Sequence, residues 1–302
     1  MRGEIALIGF GEAGSTFAHA GAWGSRAAVF DIAASRRPAM DAAGMIPCAG
    51  AAETLVGAAV ALSLVTADQA LAVARECAGL IAPDTIFCDL NSVAPGTKRA
   101  AAEAFAAAGR RYVDVAVMAP VNPARMAVPL NISGPDAAEA EQLLRGLGFT
   151  KTKVVGDQIG RASAIKLVRS VMVKGLEALT AEMMLAAHAE GVAAEVLASL
   201  DASEKTISWS ERADYNLDRM LVHGRRRSAE MAEAAQMLED LGIAPLMTGG
   251  TVARQQALGE RGVGLDPLPE GLAAKLDAIT ATTAFTTFGA PGAFTPSATG
   301  EN

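Results

Sequence analysis

The sequence predicts an α/β domain built on a doubly wound parallel sheet, followed by an all-α domain. In residues 1–158, short and almost wholly apolar strand patterns alternate with helix patterns, which is typical of parallel strands covered on both faces. In residues 159–302, helix patterns follow one another without a convincing strand pattern. We therefore predict two domains that meet between residues 158 and 159.

The order of the predicted elements follows from apolar periodicity and turn formers. Strands are predicted at 4–9, 27–31, 45–48, 58–65, 85–89, 111–117, 130–133 and 153–155. In the second domain, helices are predicted at 160–190, 194–205, 213–222, 226–241, 246–259 and 269–283. The tail after Phe288 is rich in Gly, Pro, Ser and Thr, and we expect it to be irregular or disordered.

Composition limits the class of protein and its partners. The net charge of −7 and the pI near 5.1 argue against nucleic acid or an anionic membrane surface as a main partner. The sequence has neither a signal-peptide pattern nor an apolar stretch long enough for a membrane span, so we expect a soluble cytoplasmic protein. Cys48, Cys77 and Cys88 show no metal-binding spacing, and we expect reduced core thiols.

A glycine-rich turn joins the first predicted strand to the first helix. It reads Gly9, Phe10, Gly11, Glu12, Ala13 and Gly14. The first glycine permits a tight turn, the second lets the backbone approach a pyrophosphate, and the third lets the helix pack on the strand. The helix start adds free N–H groups and a positive dipole for the phosphates. In this context the motif predicts a Rossmann-type dinucleotide-binding domain.

Asp31 ends the second predicted strand, about 20 residues after the first glycine, where an acid binds the adenosine ribose. A carboxylate there repels a 2′-phosphate, which favours NAD over NADP. Ser35, Arg36 and Arg37 follow and could bind that phosphate instead, so NADP stays possible. The alternative for Asp31 is a role as a helix cap or turn residue.

The turns after the fourth and fifth predicted strands should border the cofactor. They contain Leu64, Val65 and Asn91. Ligands of doubly wound sheets bind beyond the carboxyl ends of the strands. The alternative is that Asn91 and Ser92 are ordinary turn formers.

A stripe of polar residues runs along the first helix of the second domain. Its members are Ser163, Lys166, Ser170, Lys174 and Glu177, whose steps of three and four place them on one side of a helix. The rest of the helix is largely apolar, and we expect it to be buried. Polar groups on a buried helix must pair internally or face a wet cleft, because an unpaired buried charge is costly.

Two members of the stripe are candidates for catalysis. Lys166 could exchange the proton of a substrate hydroxyl while a hydride moves at the same carbon, and a dry cleft would favour its neutral form. Ser170, one turn later, could orient that hydroxyl. The alternatives are a solvated lysine and a serine bonded to the carbonyl four residues earlier. For Lys174 and Glu177 we predict an internal ion pair.

A basic cluster lies farther along the chain. His223, Arg226 and Arg227 could bind a carboxylate or a phosphate with two parallel hydrogen bonds. The alternatives are a solvated helix start and a salt-bridge patch at an interface.

These motifs resemble those of the β-hydroxyacid dehydrogenases, the group that includes 6-phosphogluconate and 3-hydroxyisobutyrate dehydrogenases. Ile8-Gly-Phe-Gly-Glu-Ala-Gly14 resembles their cofactor motif, and Asp89-Leu-Asn-Ser-Val-Ala-Pro95 resembles their Asp-x-Ser-Thr-x-x-Pro turn. Gly160-x-Ala-Ser-Ala-Ile-Lys166 resembles their Gly-x-Gly-x-x-x-Lys motif, which implies that Lys166 is the catalytic lysine. The resemblance covers nearly the whole chain.

The chain departs from these relatives where they contact substrate. Ser170 replaces an asparagine, and Ala229 falls where a C-terminal lysine is usual. The loop Asp-x-Pro-Val-Ser-Gly-Gly becomes Asp114-Val-Ala-Val-Met118-Ala119-Pro120. The departures leave the substrate open, gluconate 6-phosphate especially, and point to a poorly characterised phosphogluconate-dehydrogenase-like branch.

The resemblance implies an NAD(P)-dependent oxidoreductase that acts on a small hydroxy acid or its carbonyl counterpart. The substrate site would comprise Met118, Ala119, Pro120 and the basic cluster. The all-helical domain would form a homodimer through its long helices and close the site against the first domain. The alternatives are an imine reductase on the same scaffold, in which another residue usually replaces the lysine, and a non-catalytic dinucleotide-binding dimer.

Overall fold

The computed structural model describes residues 3–203 and 206–281. It leaves out the side chains at positions 174, 177, 178, 181, 230, 233 and 236. The predicted ion pair between Lys174 and Glu177 and the predicted tail after Phe288 therefore lie outside the described part of the chain. Packing divides the chain into a first unit that ends at Val173 and a second unit that begins at Lys174.

The first unit contains an eight-stranded sheet. Its strands are β1 (Ile5–Ile8), β2 (Ala27–Phe30), β3 (Ile46–Pro47), β4 (Val60–Ser63), β5 (Ile86–Asp89), β6 (Arg111–Val117), β7 (Leu130–Ser133) and β8 (Thr152–Gly156). The order across the sheet is β3-β2-β1-β4-β5-β6-β7-β8. This order confirms the doubly wound fold and places the topological switch point between β1 and β4.

The sheet departs from the expected parallel arrangement at β6 and β7, which pair antiparallel. A parallel pair needs a long crossover, usually a helix, to return the chain to the starting edge. The connection from Met118 to Pro129 contains only a 3₁₀ turn, Arg125–Ala127. The chain therefore reverses direction here, and β8 then pairs parallel to β7.

Six α-helices of the first unit lie along the chain between the strands. They are α1 (Glu12–Ala20), α2 (Arg37–Ala42), α3 (Ala51–Thr54), α4 (Ala70–Leu80), α5 (Pro95–Ala107) and α6 (Ala137–Gly146). Ile5 and Leu7 of β1 belong to one buried cluster, whereas Ala6 and Ile8 belong to another. Successive side chains of a strand point to opposite faces, so the sheet is buried on both. This burial explains why the strand patterns are continuously apolar.

The cysteines behave as predicted. Cys48, Cys77 and Cys88 are free and buried. Burial raises the pKa of both Cys77 and Cys88 to about 12, which keeps these thiols protonated and unreactive at neutral pH.

Helix α7 (Arg161–Ala189) passes from the first unit into the second, so packing divides the chain within this helix and not just before it. The second unit continues with α8 (Ala193–Ser203), α9 (Trp209–Asp240), α10 (Leu246–Gly262) and α11 (Leu272–Thr280). Among the described residues of this unit there is no strand, as predicted. None of the helices in residues 3–203 and 206–281 has both the length and the apolar composition that a membrane span requires.

The apolar side of α7 is not buried as expected. The exposed fractions of Val168 and Val171 are 73% and 76%, and several other apolar side chains of the helix are exposed too. They include Met172, Leu176, Leu179 and Leu185. Apolar residues at helical spacing show that a helix has an apolar face. They do not show whether other residues of the same chain pack against that face.

The helices predicted at 213–222 and 226–241 form one continuous helix, α9, of 32 residues. Gly224 lies between the two predicted helices and has a packing role, since a Cβ at this position would overlap Gln255 and Gly259 of α10. Likewise, a Cβ at Gly259 would overlap the backbone of Arg225. These glycines let the two helices approach closely, and His223 lies inside a helix, not at its start.

We predict that Gly259→Ala lowers the free energy of unfolding by about 1–3 kcal/mol, the usual cost of overpacking. Gly250→Ala is the matched control, because Gly250 lies on the same helix and a Cβ there would meet nothing within 4 Å. The control should be neutral or stabilising by up to about 1 kcal/mol, the difference in helix propensity. Urea unfolding followed by circular dichroism measures both, and equal effects would contradict the packing role of Gly259.

Candidate functional site

The glycine-rich turn has the shape that a pyrophosphate requires. Gly9 has φ +98°, and a Cβ there would overlap the carbonyl oxygen of Leu64. A Cβ at Gly14 would overlap the carbonyl oxygen of Gly9, whereas one at Gly11 would meet nothing within 4 Å. No side chain caps the start of α1 at Gly11, and the first N–H groups of a helix have no intrahelical partner. The turn therefore fits a bound phosphate group.

Asp31 lies beside the glycine-rich turn, at the end of β2. Its carboxylate accepts hydrogen bonds from the N–H groups of Phe10 (2.6 Å) and Ala33 (2.8 Å). The Phe10 ring is buried in the core, so Phe10 contributes only its backbone. Asp31 and Arg37 line the same cavity of about 210 Å³, whereas Ser35 and Arg36 do not line it.

A second cavity, of about 350 Å³, lies at the carboxyl ends of β4, β5 and β6. It brings together residues from the glycine-rich turn, three strand ends and α7. The residues that line it are Glu12, Ala13, Leu64, Val65, Ala67, Leu90, Asn91, Ser92, Val117, Ala119, Pro120, Val121 and Lys166. Met118, predicted to contact substrate, lies between the lining residues Val117 and Ala119 but does not itself line the cavity.

Lys166 is partly buried, and its Nζ donates a hydrogen bond to the Ser92 Oγ. In the sequence, Ser92 has the same interpretation as its neighbours, that of a turn former. Its place in the turn after β5, in the motif that begins at Asp89, was the available signal. The structure pairs this hydroxyl with the candidate catalytic lysine.

A buried charge network lies beneath the cavity. Asp89 and Asp114 are register partners on β5 and β6, and their exposed fractions are 1% and 0%. Lys98, from the start of α5, is also fully buried. Its Nζ lies 2.9 Å from Asp89 Oδ1 and 3.4 Å from Asp114 Oδ1, and it donates to the Asp89 carbonyl oxygen at 2.6 Å.

The Asp89 carboxylate holds the turn after β5. Its Oδ1 accepts from the Asn91 backbone N–H (2.9 Å) and side-chain Nδ2 (2.7 Å), and its Oδ2 accepts from the Tyr112 hydroxyl (2.6 Å). Asn91 Nδ2 also donates to Ser63 Oγ, and Asn91 Oδ1 accepts from the Val65 N–H at 2.7 Å. The Asn91 side chain therefore joins two strand ends and shapes the cavity wall.

The Asp114 carboxylate holds the start of α7. It accepts from the N–H (3.0 Å) and the hydroxyl (2.6 Å) of Ser163. Ser133, the register partner of Asp114 on β7, accepts from the Ala162 N–H at 3.0 Å. Residues of the sheet thus satisfy N–H groups that a helix start leaves without intrahelical partners.

The polar stripe of α7 divides into members with different environments. Ser163 is paired internally with Asp114, whereas Lys166 lines the cavity. The Ser170 hydroxyl donates to the Lys166 carbonyl oxygen at 3.0 Å, and Ser170 does not line the cavity. Ser170 thus makes the hydrogen bond to the carbonyl four residues earlier, which was the alternative to a catalytic role. Its role toward substrate stays a prediction.

The basic cluster lies in the second unit, along a groove of about 1000 Å³. His223, Arg225 and Arg226 line this groove together with Asp266 and apolar residues of α9 and α10, whereas Arg227 does not line it. The structure therefore brings two of the three predicted basic residues to one surface.

Comparison with known proteins agrees with this architecture. Residues 4–156, more than half of the chain, match the family model described as the NAD binding domain of 6-phosphogluconate dehydrogenase. Residues 187–258 match a domain of unknown function, DUF1932. The chain thus contains an NAD-binding domain, as the glycine-rich turn predicted, and its family places it among the NAD(P)-dependent oxidoreductases.

Three solved structures illustrate its relatives. A conserved hypothetical protein from Sinorhizobium meliloti 1021 is 33% identical, with 92% of this chain and 96% of that chain covered and a TM-score of 0.59. The conserved protein MTH1747, described as structurally similar to 3-hydroxyacid dehydrogenases, is 29% identical, with 85% and 96% covered and a TM-score of 0.56. An imine reductase from Myxococcus stipitatus in complex with NADP+ shares the fold, with 17% identity, 86% and 94% covered and a TM-score of 0.66.

The glycine-rich turn at the switch point and the family match over residues 4–156 both indicate a dinucleotide-binding domain. The chain belongs to the family of the NAD-binding domain of 6-phosphogluconate dehydrogenase.

Proposed function

We propose that this protein interconverts a small hydroxy acid and its carbonyl counterpart, with Lys166 as general acid and base. The observation that carries the proposal is that Lys166 lines the same cavity as Glu12 and Ala13 of the glycine-rich turn. A side chain able to exchange protons therefore shares a cavity with the first turn of the phosphate-binding helix.

The chain offers a suitable group for each part of the dinucleotide. The N–H groups at the start of α1 would hold the pyrophosphate, and Asp31 would accept hydrogen bonds from ribose hydroxyls. Leu64 and Val65 would border the nicotinamide side of the cavity. A bound nicotinamide supplies or accepts a hydride.

Lys166 would supply the proton that complements the hydride. In the reducing direction the ammonium group donates a proton to the carbonyl oxygen, and in the oxidising direction the neutral amine takes the hydroxyl proton. Before the transfer, its positive charge stabilises the negative charge that develops on that oxygen. The Ser92 hydroxyl holds the Lys166 Nζ in place, while Ala119 and Pro120 limit the space for substrate.

The basic cluster is our candidate for recognising the anionic group of the substrate. Support comes from His223, Arg225 and Arg226, which border one groove of the second unit and present hydrogen-bond donors suited to a carboxylate or phosphate. Arg227, which was grouped with them in the sequence, is the weaker candidate because it does not line the groove.

Replacing Lys166 tests the proposed chemistry. We predict that Lys166→Ala binds NADH like the parent protein and loses turnover by a factor of about 10²–10⁴, the usual contribution of a general acid or base. Lys153→Ala, at an exposed lysine of β8, is the control and should keep full turnover. The assay follows NADH and NADPH absorbance against hydroxy acids, keto acids and imines. Full turnover by Lys166→Ala would contradict the proposal.

The same panel separates the alternatives. Reduction of imines without reduction of carbonyls would identify an imine reductase, a possibility that the shared fold keeps open. Tight NADH binding without turnover of any compound would favour a non-catalytic binding protein. The presence of Lys166 favours the hydroxy acid reaction, because the resemblance described above assigns the proton transfer to this lysine.

We propose that NAD is preferred over NADP, because the Asp31 carboxylate would repel a 2′-phosphate. For Asp31→Asn we predict that the Kd for NADH rises about 10- to 150-fold, since hydrogen bonds to charged groups contribute roughly 1.5–3 kcal/mol. The Kd for NADPH should fall. Asp84→Asn, at an exposed aspartate before β5, is the control. Fluorescence titration measures the Kd of each of the three proteins for NADH and for NADPH, and tighter binding of NADPH by the parent protein would contradict the preference.

We propose that the protein forms a homodimer through α7. Support comes from the exposed apolar residues of this helix, since contiguous exposed apolar surface usually marks an interface. We predict that the parent protein sediments as a dimer and that Val171→Glu sediments as a monomer. Val56→Glu, at a residue that is 43% exposed outside α7, should remain dimeric. Analytical ultracentrifugation measures the oligomeric state of all three proteins, and a monomeric parent protein would refute the proposal.

A further inference from the structure

We infer that Lys98 is a positioning residue for the hydrogen bond between Lys166 and Ser92, an inference that gains catalytic meaning from the function proposed above. Lys98 does not line the cavity. It is fully buried, and its three ammonium protons face three acceptors on Asp89 and Asp114. Its influence on the site must therefore pass through these two aspartates.

Lys98 resolves an electrostatic conflict within the sheet. Asp89 and Asp114 are partners on adjacent strands, and both carboxylates are buried. Two neighbouring buried carboxylates repel each other, and a buried charge without a partner is costly. The ammonium group of Lys98 lies between them and lets each carboxylate remain an acceptor for several donors.

The first arm of the network leads from Lys98 to Ser92. Asp89 Oδ1 accepts from both the Nδ2 and the backbone N–H of Asn91, the residue that precedes Ser92. Because Asn91 Oδ1 also accepts from the Val65 N–H, the turn is held from two sides. The backbone of Ser92 therefore follows the position of the Asp89 carboxylate.

The second arm leads from Lys98 to Lys166. Asp114 accepts from the N–H and the hydroxyl of Ser163, which lies one helical turn before Lys166. A helix transmits a displacement of its first turn to the next, so the position of Lys166 depends on Asp114. Both partners of the Lys166–Ser92 hydrogen bond are thus held by carboxylates that share one ammonium group.

The test observes Lys166 itself and needs no substrate. The chain has seven lysines. Reductive methylation with ¹³C-formaldehyde gives the accessible ones resolved dimethylamine signals, and Lys166→Arg identifies the Lys166 signal. The signal is compared in the parent protein, Ser92→Ala, Lys98→Met and the double variant, without cofactor.

We expect Lys98→Met to shift the Lys166 signal in the same direction as Ser92→Ala. In the double variant the signal should stay where Ser92→Ala puts it, because the hydrogen bond through which Lys98 acts is already absent. An unshifted Lys166 signal in folded Lys98→Met would overturn the inference. So would a Lys98→Met shift that persists undiminished in the Ser92→Ala background, since Lys98 would then act by another route.

The chain offers a matched control for loss of a buried lysine. Lys275 in the second unit is 5% exposed, and its Nζ lies 3.0 Å from Asp214 Oδ1 and 3.3 Å from Asp218 Oδ1. Lys275→Met should lower stability and leave the Lys166 signal unchanged. A Lys166 shift in this control would show that the signal reports general destabilisation, and it would overturn the inference.

A milder variant serves if Lys98→Met does not fold. Ser163→Ala removes one hydroxyl from the second arm and leaves the ion pairs of Lys98 intact. It should shift the Lys166 signal in the parent background and not in the Ser92→Ala background, and any other pattern contradicts the second arm. Failure here is distinct from failure of the proposed function, which the turnover of Lys166→Ala decides.

Discussion

The candidate site depends on one electrostatic constraint, the burial of two carboxylates side by side in the sheet. Asp89 and Asp114 face each other across β5 and β6, and Lys98 of α5 compensates them. Removing one partner of such a buried network typically costs about 3–5 kcal/mol, because the remaining charge has no solvent to screen it. The network is therefore costly to break, and the backbone segments bound to it have little freedom to move.

This constraint explains how the start of α7 is attached to the sheet. The first N–H groups of α7 bond to Ser133 and Asp114. The attachment point lies near the carboxyl ends of the strands, where a doubly wound sheet binds its ligand. Lys166 follows one turn later and meets Ser92, which belongs to the turn that Asp89 holds. A site held by the sheet and the start of a long helix is rigid, as proton transfer at a defined atom requires.

The sequence predicted the features that depend on local pattern. Alternating apolar strands and helices predicted the doubly wound sheet, and the glycine spacing predicted the turn that approaches Leu64. It could not predict features that depend on distant partners. Lys98 looks like an ordinary helix lysine, since the acids that surround it come from other strands. The packing role of Gly224 depends on α10, which lies later in the chain. The antiparallel pairing of β6 with β7 depends on a connection that has no pattern of its own.

The most direct test is a crystal structure of the protein with NADH bound. We predict that the pyrophosphate contacts the N–H groups at the start of α1, with the nicotinamide in the cavity that Ser92 and Lys166 border. Lys166 should still donate to Ser92 and point toward the nicotinamide. An ordered nicotinamide outside this cavity, or a Lys166 that points away from it, would contradict the account.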